Sequence, residues 1–424
     1  MSDSQSKSSP GRFLRSLGPA IVVACVVLGP GSILTSSKVG VTHGYSMIWL
    51  LLLAGVLMFG MTALAGRLGV TFEGSLCDEL RARLGKPAAI VVGVVLFGIV
   101  ACFQFSNNIG VLAGLEPFLK DHPAWQTIQV AVLVGLNGVI IGVIFGFKNL
   151  YRPIEIIMMV MMGLMLLSFA VNLAFAKPDF GKMLGGLVPR VPGSSFAELL
   201  PLFGMVATTF SIGGAFYQGY AVRERGWTTA NFKDGLIDSL VGITVLTGIT
   251  MMIMITSASV LHGNIEPGEL KSAADVALQL GPLFGDSAQM LFCQGILAGA
   301  FSSFLVNAMI GGTLLSDGLG LGSKLDGIWP KRFTVLALLS GMGVALLMKT
   351  TDLSIVNLII FAQALTVVGG PVLAGSLLYL AFRPDLQGDR RVPGWIKTIG
   401  CIGFSVTVVL AIRTIISISG KLSG

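Results

Sequence analysis

Val27-Leu28-Gly29-Pro30-Gly31-Ser32-Ile33-Leu34 interrupts the first apolar stretch of the chain, and Phe210-Ser211-Ile212-Gly213-Gly214-Ala215 interrupts the sixth. Proline lacks a backbone N–H, and glycine weakens a helix interior by about 1 kcal/mol relative to alanine. Inside hydrocarbon, unwound backbone is tolerated only beside a cavity or buried in protein. One such break reads equally well as a packing kink. Two breaks in corresponding spans of two repeats point instead to a transporter site.

Working outward, the flanking sequence supplies the membrane. Of 424 residues, 54% are hydrophobic and 12% charged, with a mean hydropathy of +0.85. Soluble domains carry about 25% charged residues, and a spanning helix needs ~20 apolar ones. Apolar runs fall at 17–40, 46–66, 88–115, 127–146, 153–176, 196–222, 236–261, 284–316, 332–348, 354–381 and 396–418. The pattern predicts an all-α polytopic membrane protein of about eleven spans in one transmembrane domain, 1–424. Its expected parts are a cytoplasmic tail at 1–16, a first repeat at 17–176, a second at 196–381 and an extra helix at 396–418. Five spans per repeat, an odd number, invert one repeat relative to the other.

The net charge of +7 does not indicate nucleic acid, because the basic residues are scattered over loops without aromatic interleaving. They follow the positive-inside rule. Arg67, Arg81, Arg83, Lys86, Arg223, Arg225, Lys233, Arg383, Arg390, Arg391 and Lys397 share a side with the N-terminus. That bias predicts a plasma (inner) membrane protein with a cytoplasmic N-terminus and an outside C-terminus. Five cysteines without CxxC spacing read as small apolar residues.

The residues around the breaks extend into a family pattern. Gly29-Pro30-Gly31-Ser32 is followed by Gly44-Tyr45, and Ala65-Gly66-Arg67-Leu68-Gly69-Val70 follows span 2. Arg152 to Glu155 opens span 5, and Ala176-Lys177-Pro178-Asp179 closes it. Ser302-Ser303, Lys331-Arg332, and Gln363 with Pro371 come later in the same order. Together these resemble the Nramp (natural resistance-associated macrophage protein) family of divalent-metal transporters, over nearly the whole chain. The resemblance implies a LeuT-type fold with a 5+5 inverted repeat and broken helices 1 and 6.

The departures bear on substrate. In the family, span 1 supplies Asp and Asn as metal ligands, and these positions align with Gly29 and Ser32. A Met-Pro-His motif on span 6 aligns with Ser211-Ile212-Gly213. Acidic residues of the proton route align with Asn107 and Gly110, and an Asp one turn beyond the first break aligns with Ser36. The chain thus resembles a divergent branch lacking the metal-binding motif. A dehydrated transition metal needs nitrogen, sulfur or carboxylate donors, so no metal ligand and no cofactor is expected.

Without carboxylates, the free N–H groups of the half-helices near Ile33 and Ala215 favour a small anion such as bicarbonate or a small carboxylate. The expected binding residues are Gly29, Pro30, Gly31, Ser32, Ser211, Gly213, Gly214 and Gln363. Lys38, Asn107, Tyr217 and Gln218 are candidates for the pathway. The alternative is a hydrated divalent cation, Mg²⁺ or Mn²⁺, whose waters fit between small side chains. That reading needs a pathway carboxylate, and Glu155, Asp238 and Asp317 sit toward span ends. A further alternative is a non-transporting binding or signalling relative. No Ser–His or metal constellation suggests an enzyme. The expected partners are the ion and membrane lipids, with a monomer expected and a dimer also open. Gly138, Gly142 and Gly146 read as a stripe for close helix packing.

Overall fold

The computed structural model describes residues 18–146, 151–190, 196–266, 268–270, 275–277, 285–348 and 355–422. The expected cytoplasmic tail lies outside them. The first span is two helices, α1 (Pro19–Val27) and α2 (Pro30–His43), bent by 61° at the Leu28-Gly29 break. Then come α3 (Ile48–Thr71), the short α4 (Leu76–Leu84), α5 (Lys86–Leu119), α6 (Trp125–Gly146), α7 (Tyr151–Ala176) and the short α8 (Phe180–Gly185). The sixth span is α9 (Phe196–Thr209) and α10 (Ile212–Glu224). It is followed by α11 (Phe232–Val260), α12 (Asp286–Leu319), α13 (Ile328–Met348), α14 (Ile355–Ala381) and α15 (Gly394–Leu422).

Among the described residues, ten helices are long and apolar enough to cross a membrane, and the bent pair α1–α2 makes eleven. Every span lies within five residues of its expected bounds. The two breaks differ in shape. Proline at the first position of α2 removes an N–H the helix start does not need, and the chain turns sharply there. At the second break the pair α9–α10 still passes as a single span from Leu199 to Glu224.

Burial separates a core from a lipid face. Between Pro19 and Ser37 every residue is buried, and 89% of the most apolar window of the sixth span is buried. Only 17% of that window in α6 is buried. The glycine stripe on α6 departs from expectation. A Cβ at Gly138, Gly142 or Gly146 would meet nothing within 4 Å, so no helix of the described chain packs there.

One face of the bundle is tied by cations to backbone. Arg223 donates to the carbonyls of Phe72, Glu73 and Gly74. Arg81 reaches the carbonyls of Asp317 and Gly318, and Arg383 pairs with Glu79. Arg67 donates to the carbonyls of Asp389 and Arg391. The α1 end belongs to this face too. Asp238 on α11 accepts from the N–H groups of Gly18 and Ala20, each at 2.8 Å. A carboxylate there matches the positive end of the α1 dipole.

Candidate functional site

Helix ends leave backbone groups unpaired, and at a break they would lie inside the protein. At the end of α1 the carbonyls are taken up by α12. Ser302 and Ser303 donate to the Cys25 carbonyl at 3.3 and 3.1 Å. Ser303 and Asn307 donate to the Val26 carbonyl at 3.0 and 3.3 Å. At the start of α10, the Ser211 hydroxyl accepts from the Gly214 N–H at 3.4 Å. So Ser211 acts as a helix cap, which its position before Ile212 makes natural. At the start of α2 no side chain caps the helix.

Polar side chains gather at that uncapped end. A Cβ placed on Gly31 would lie 2.1 Å from Gln363 Nε2 and 2.9 Å from Ser106 Oγ. One placed on Gly29 would lie 3.0 Å from Ser303 Oγ and 3.1 Å from Asn107 Oδ1. Both glycines therefore serve the close approach of these side chains to the backbone. Ser32, Ser106, Asn107 and Gln363 are each 1% exposed. The Ser32 and Ser106 hydroxyls and both polar atoms of the Gln363 amide have no protein partner. An unmet buried polar group costs about 1–3 kcal/mol. Four such atoms cluster at this one break.

The second break reaches the same region from the other side. A small cavity is lined by Val26 and Val27 of the first break, Ser211, Gly213 and Gly214 of the second, and Asn307. A neighbouring cavity of ≈ 30 Å³ is lined by Ser211, Gly213, Thr366 and Thr407 among apolar residues, room for about two waters.

Several expectations are redrawn by these contacts. The polar cluster of α5 divides. Asn107 bonds Gln104 at 3.2 Å and faces Gly29. Asn108 instead accepts from Asn137 of α6 at 2.9 Å, as an interhelical tie. Gln218 points away from the breaks. Its Nε2 lies 3.5 Å from Asp238 Oδ2, and it lines a separate cavity with Arg67, Trp227 and Ser239. Tyr217 stacks parallel to Tyr220, centroids 6.5 Å apart. Lys38 is half-buried on α2, about 10 Å along the helix from Gly31. Pro30 is held by α5, where a Cβ on Gly110 would meet its ring at 1.9 Å. Sequence reading missed the role of Ser303 and Asn307 in taking the α1 carbonyls. Their i, i+4 spacing on one face of α12 is the signal that carried it.

Against known proteins, the profile described as natural resistance-associated macrophage protein-like (Nramp) matches residues 20–417. The chain belongs to the Nramp family. The divalent metal cation transporter MntH of Deinococcus radiodurans is 26% identical over 403 residues, covering 91% of this chain and 87% of that protein. MntH of Yersinia enterocolitica is 22% identical over 420 residues, covering 98% of each. Among solved structures, the Eremococcus coleocola manganese transporter bound to an aromatic bis-isothiourea compound has a TM-score of 0.77 at 17% identity, covering 99% of this chain and 89% of that one. MhsT in complex with L-phenylalanine has a TM-score of 0.56 at 15% identity, covering 94% of this chain and 98% of that one. The fold is thus the LeuT-type transporter fold, and the chain is an integral membrane transporter rather than an enzyme. Among the described residues of this Nramp protein, no three His, Cys, Asp or Glu side chains gather as a metal site.

Proposed function

We propose that this Nramp-family protein carries a divalent cation that keeps part of its water shell, and not the small anion that the missing carboxylates first suggest. The observation that carries the reading is the use already made of the helix N-termini. An anion needs their N–H groups. At the breaks, the α10 end is capped by Ser211; the α1 end, away from the break, faces the Asp238 carboxylate. The α2 end begins with Pro30, which has no N–H, so it offers one donor fewer than an ordinary helix start. Among the described residues no basic side chain lines the break, and Lys38 is about two turns of helix away.

What remains at the break is a set of neutral donors. The Gln363 amide and the Ser32 and Ser106 hydroxyls are unpaired, and Asn107 stands beside them. Mg²⁺ binds oxygen, dehydrates reluctantly and usually keeps several waters. Neutral oxygens can receive such waters without stripping them. Gly29 and Gly31 let these polar side chains come close to the backbone, and Gly213 lines the small cavities beside them. On the N-terminal side Asp238, next to Gln218, supplies the carboxylate that a cation pathway needs. The names of the relatives, divalent metal cation transporters, support the cation class. With its basic loops on the N-terminal face, the chain sits with the N-terminus in the cytoplasm and the C-terminus outside.

The test is flux into proteoliposomes with Mg²⁺, Mn²⁺ or bicarbonate. Saturable Mg²⁺ or Mn²⁺ uptake that is lost in Gln363→Leu is the expected result. Saturable bicarbonate uptake in the absence of any divalent cation would overturn it.

A further inference from the structure

Away from the breaks, one groove on the lipid face joins an apolar floor to a cation. It lies between the end of α14 and the start of α15, with a volume of ≈ 410 Å³, lined by Leu378, Tyr379, Phe382 and Phe404 among others. Ligand pockets measure ~300–1,000 Å³. Its depth follows from an antiparallel helix pair in which Gly375 faces Phe404 and Phe382 faces Lys397. A Cβ on Gly375 would meet Phe404 Cε2 at 3.3 Å, so glycine there lets the Phe404 ring pack in as the floor. From Ala381, next to Phe382, down to Gly375 is about 9 Å of helix. Both helices are membrane spans, and Tyr379 and Phe382 are 42% and 56% exposed. The slot therefore opens onto lipid and runs from the membrane surface into hydrocarbon.

The charge at its mouth selects the occupant. Lys397 Nζ lies 4.9 Å from the centre of the Phe382 ring. Among the described residues no carboxylate pairs with it. Arg383, also at the mouth, is held by Glu79 and Asp385, and Arg83 stands 3.6 Å from Asp385. Three cations against two carboxylates leave the mouth positive. Trp395, 44% exposed, lies at the same level, as interfacial aromatics do. Basic pockets between spans suit anionic head groups.

We propose that this groove binds an anionic phospholipid, with one acyl chain between α14 and α15 and its phosphate beside Lys397. The test is native mass spectrometry of the full chain in detergent, titrated with phosphatidylglycerol or with phosphatidylcholine of the same acyl chains. The wild type is expected to retain phosphatidylglycerol about fivefold better. Lys397→Gln removes that preference, while Lys86→Gln, an exposed lysine on the same face, keeps it. Gly375→Leu fills the floor and lowers retention of both lipids. Equal retention of the two lipids by the wild type overturns the assignment. So does a preference that survives Lys397→Gln or falls equally in Lys86→Gln. A folded Gly375→Leu protein that holds both lipids as the wild type does also overturns it. Should that variant not fold, the lysine pair decides.

Discussion

The amide of Gln363 on α14 fills the space that a side chain at residue 31 on α2 would need. The would-be Cβ lies 2.1 Å from its Nε2 and 2.6 Å from its Cδ. Glycine at one position and glutamine at the other are a matched pair, and neither amide atom has a protein partner. Gly31→Ala should push Gln363 aside and lower the transport rate about tenfold or more, since small misplacements in a site are costly. Because the amide is the end of a flexible side chain, the thermal midpoint should move little. Flux and thermal unfolding measured on the same preparation check this; a stable variant with normal flux would remove Gln363 from the site.

The carbonyls of Cys25 and Val26 share three donors on α12. Ser303→Ala removes two of those bonds but leaves Ser302 and Asn307 in place. A loss of about 1 kcal/mol is expected. The double variant Ser303→Ala with Asn307→Ala leaves the Val26 carbonyl unmet, and should lose more than the two single variants together. A double-mutant cycle of unfolding measurements reads the coupling.

Ser211 caps α10 through Gly214. Ser211→Ala should cost about 1 kcal/mol of stability, and Ser211→Asn much less. If Ser211→Asn restores stability and cation uptake together, its role is the cap. If uptake stays lost in a stable Ser211→Asn protein, the hydroxyl itself touches the ion.

Gly110→Ala on α5 should disturb the first break directly. The new methyl would lie 1.9 and 2.3 Å from ring carbons of Pro30, which is a ring and cannot swing away. Overpacking of this kind costs about 1–3 kcal/mol. A lowered thermal midpoint is expected, and an unchanged one would show that α5 and α2 do not meet there.

The loop after α14 carries a pH dependence outside the spans. Arg383 holds the Asp385 carboxyl below its ordinary value, first by hydrogen bond and then by charge. A depressed acid contributes stability above its unfolded-state value, ~3.9, and loses that contribution as pH falls through the folded value. Acid lability should thus be smaller in Asp385→Asn than in the wild type below about pH 4. Thermal midpoints followed down the pH scale for both proteins check the sign.

The spans, the two breaks and the fold could be read in the sequence because their causes are local. Apolar length fixes where helices cross, and Gly29-Pro30-Gly31 cannot continue one. The residues that close each break could not be read. Ser303 meets Val26 across 277 positions, and Gln104 meets the Phe304 carbonyl across 200. Ser106, Asn107 and Asn108 are neighbours in sequence, yet only the first two face the break, because successive residues of a helix point about 100° apart. Substrate sign shows the same division. The chain alone shows that no carboxylate lies within the breaks. Only the packed structure shows that Ser211 caps the start of α10, and that Asp238, from another helix, sits at the α1 N-terminus, the end of that helix away from the break. Local covalent limits set where the helix must open. What fills the opening depends on which distant side chains the fold brings within hydrogen-bond reach.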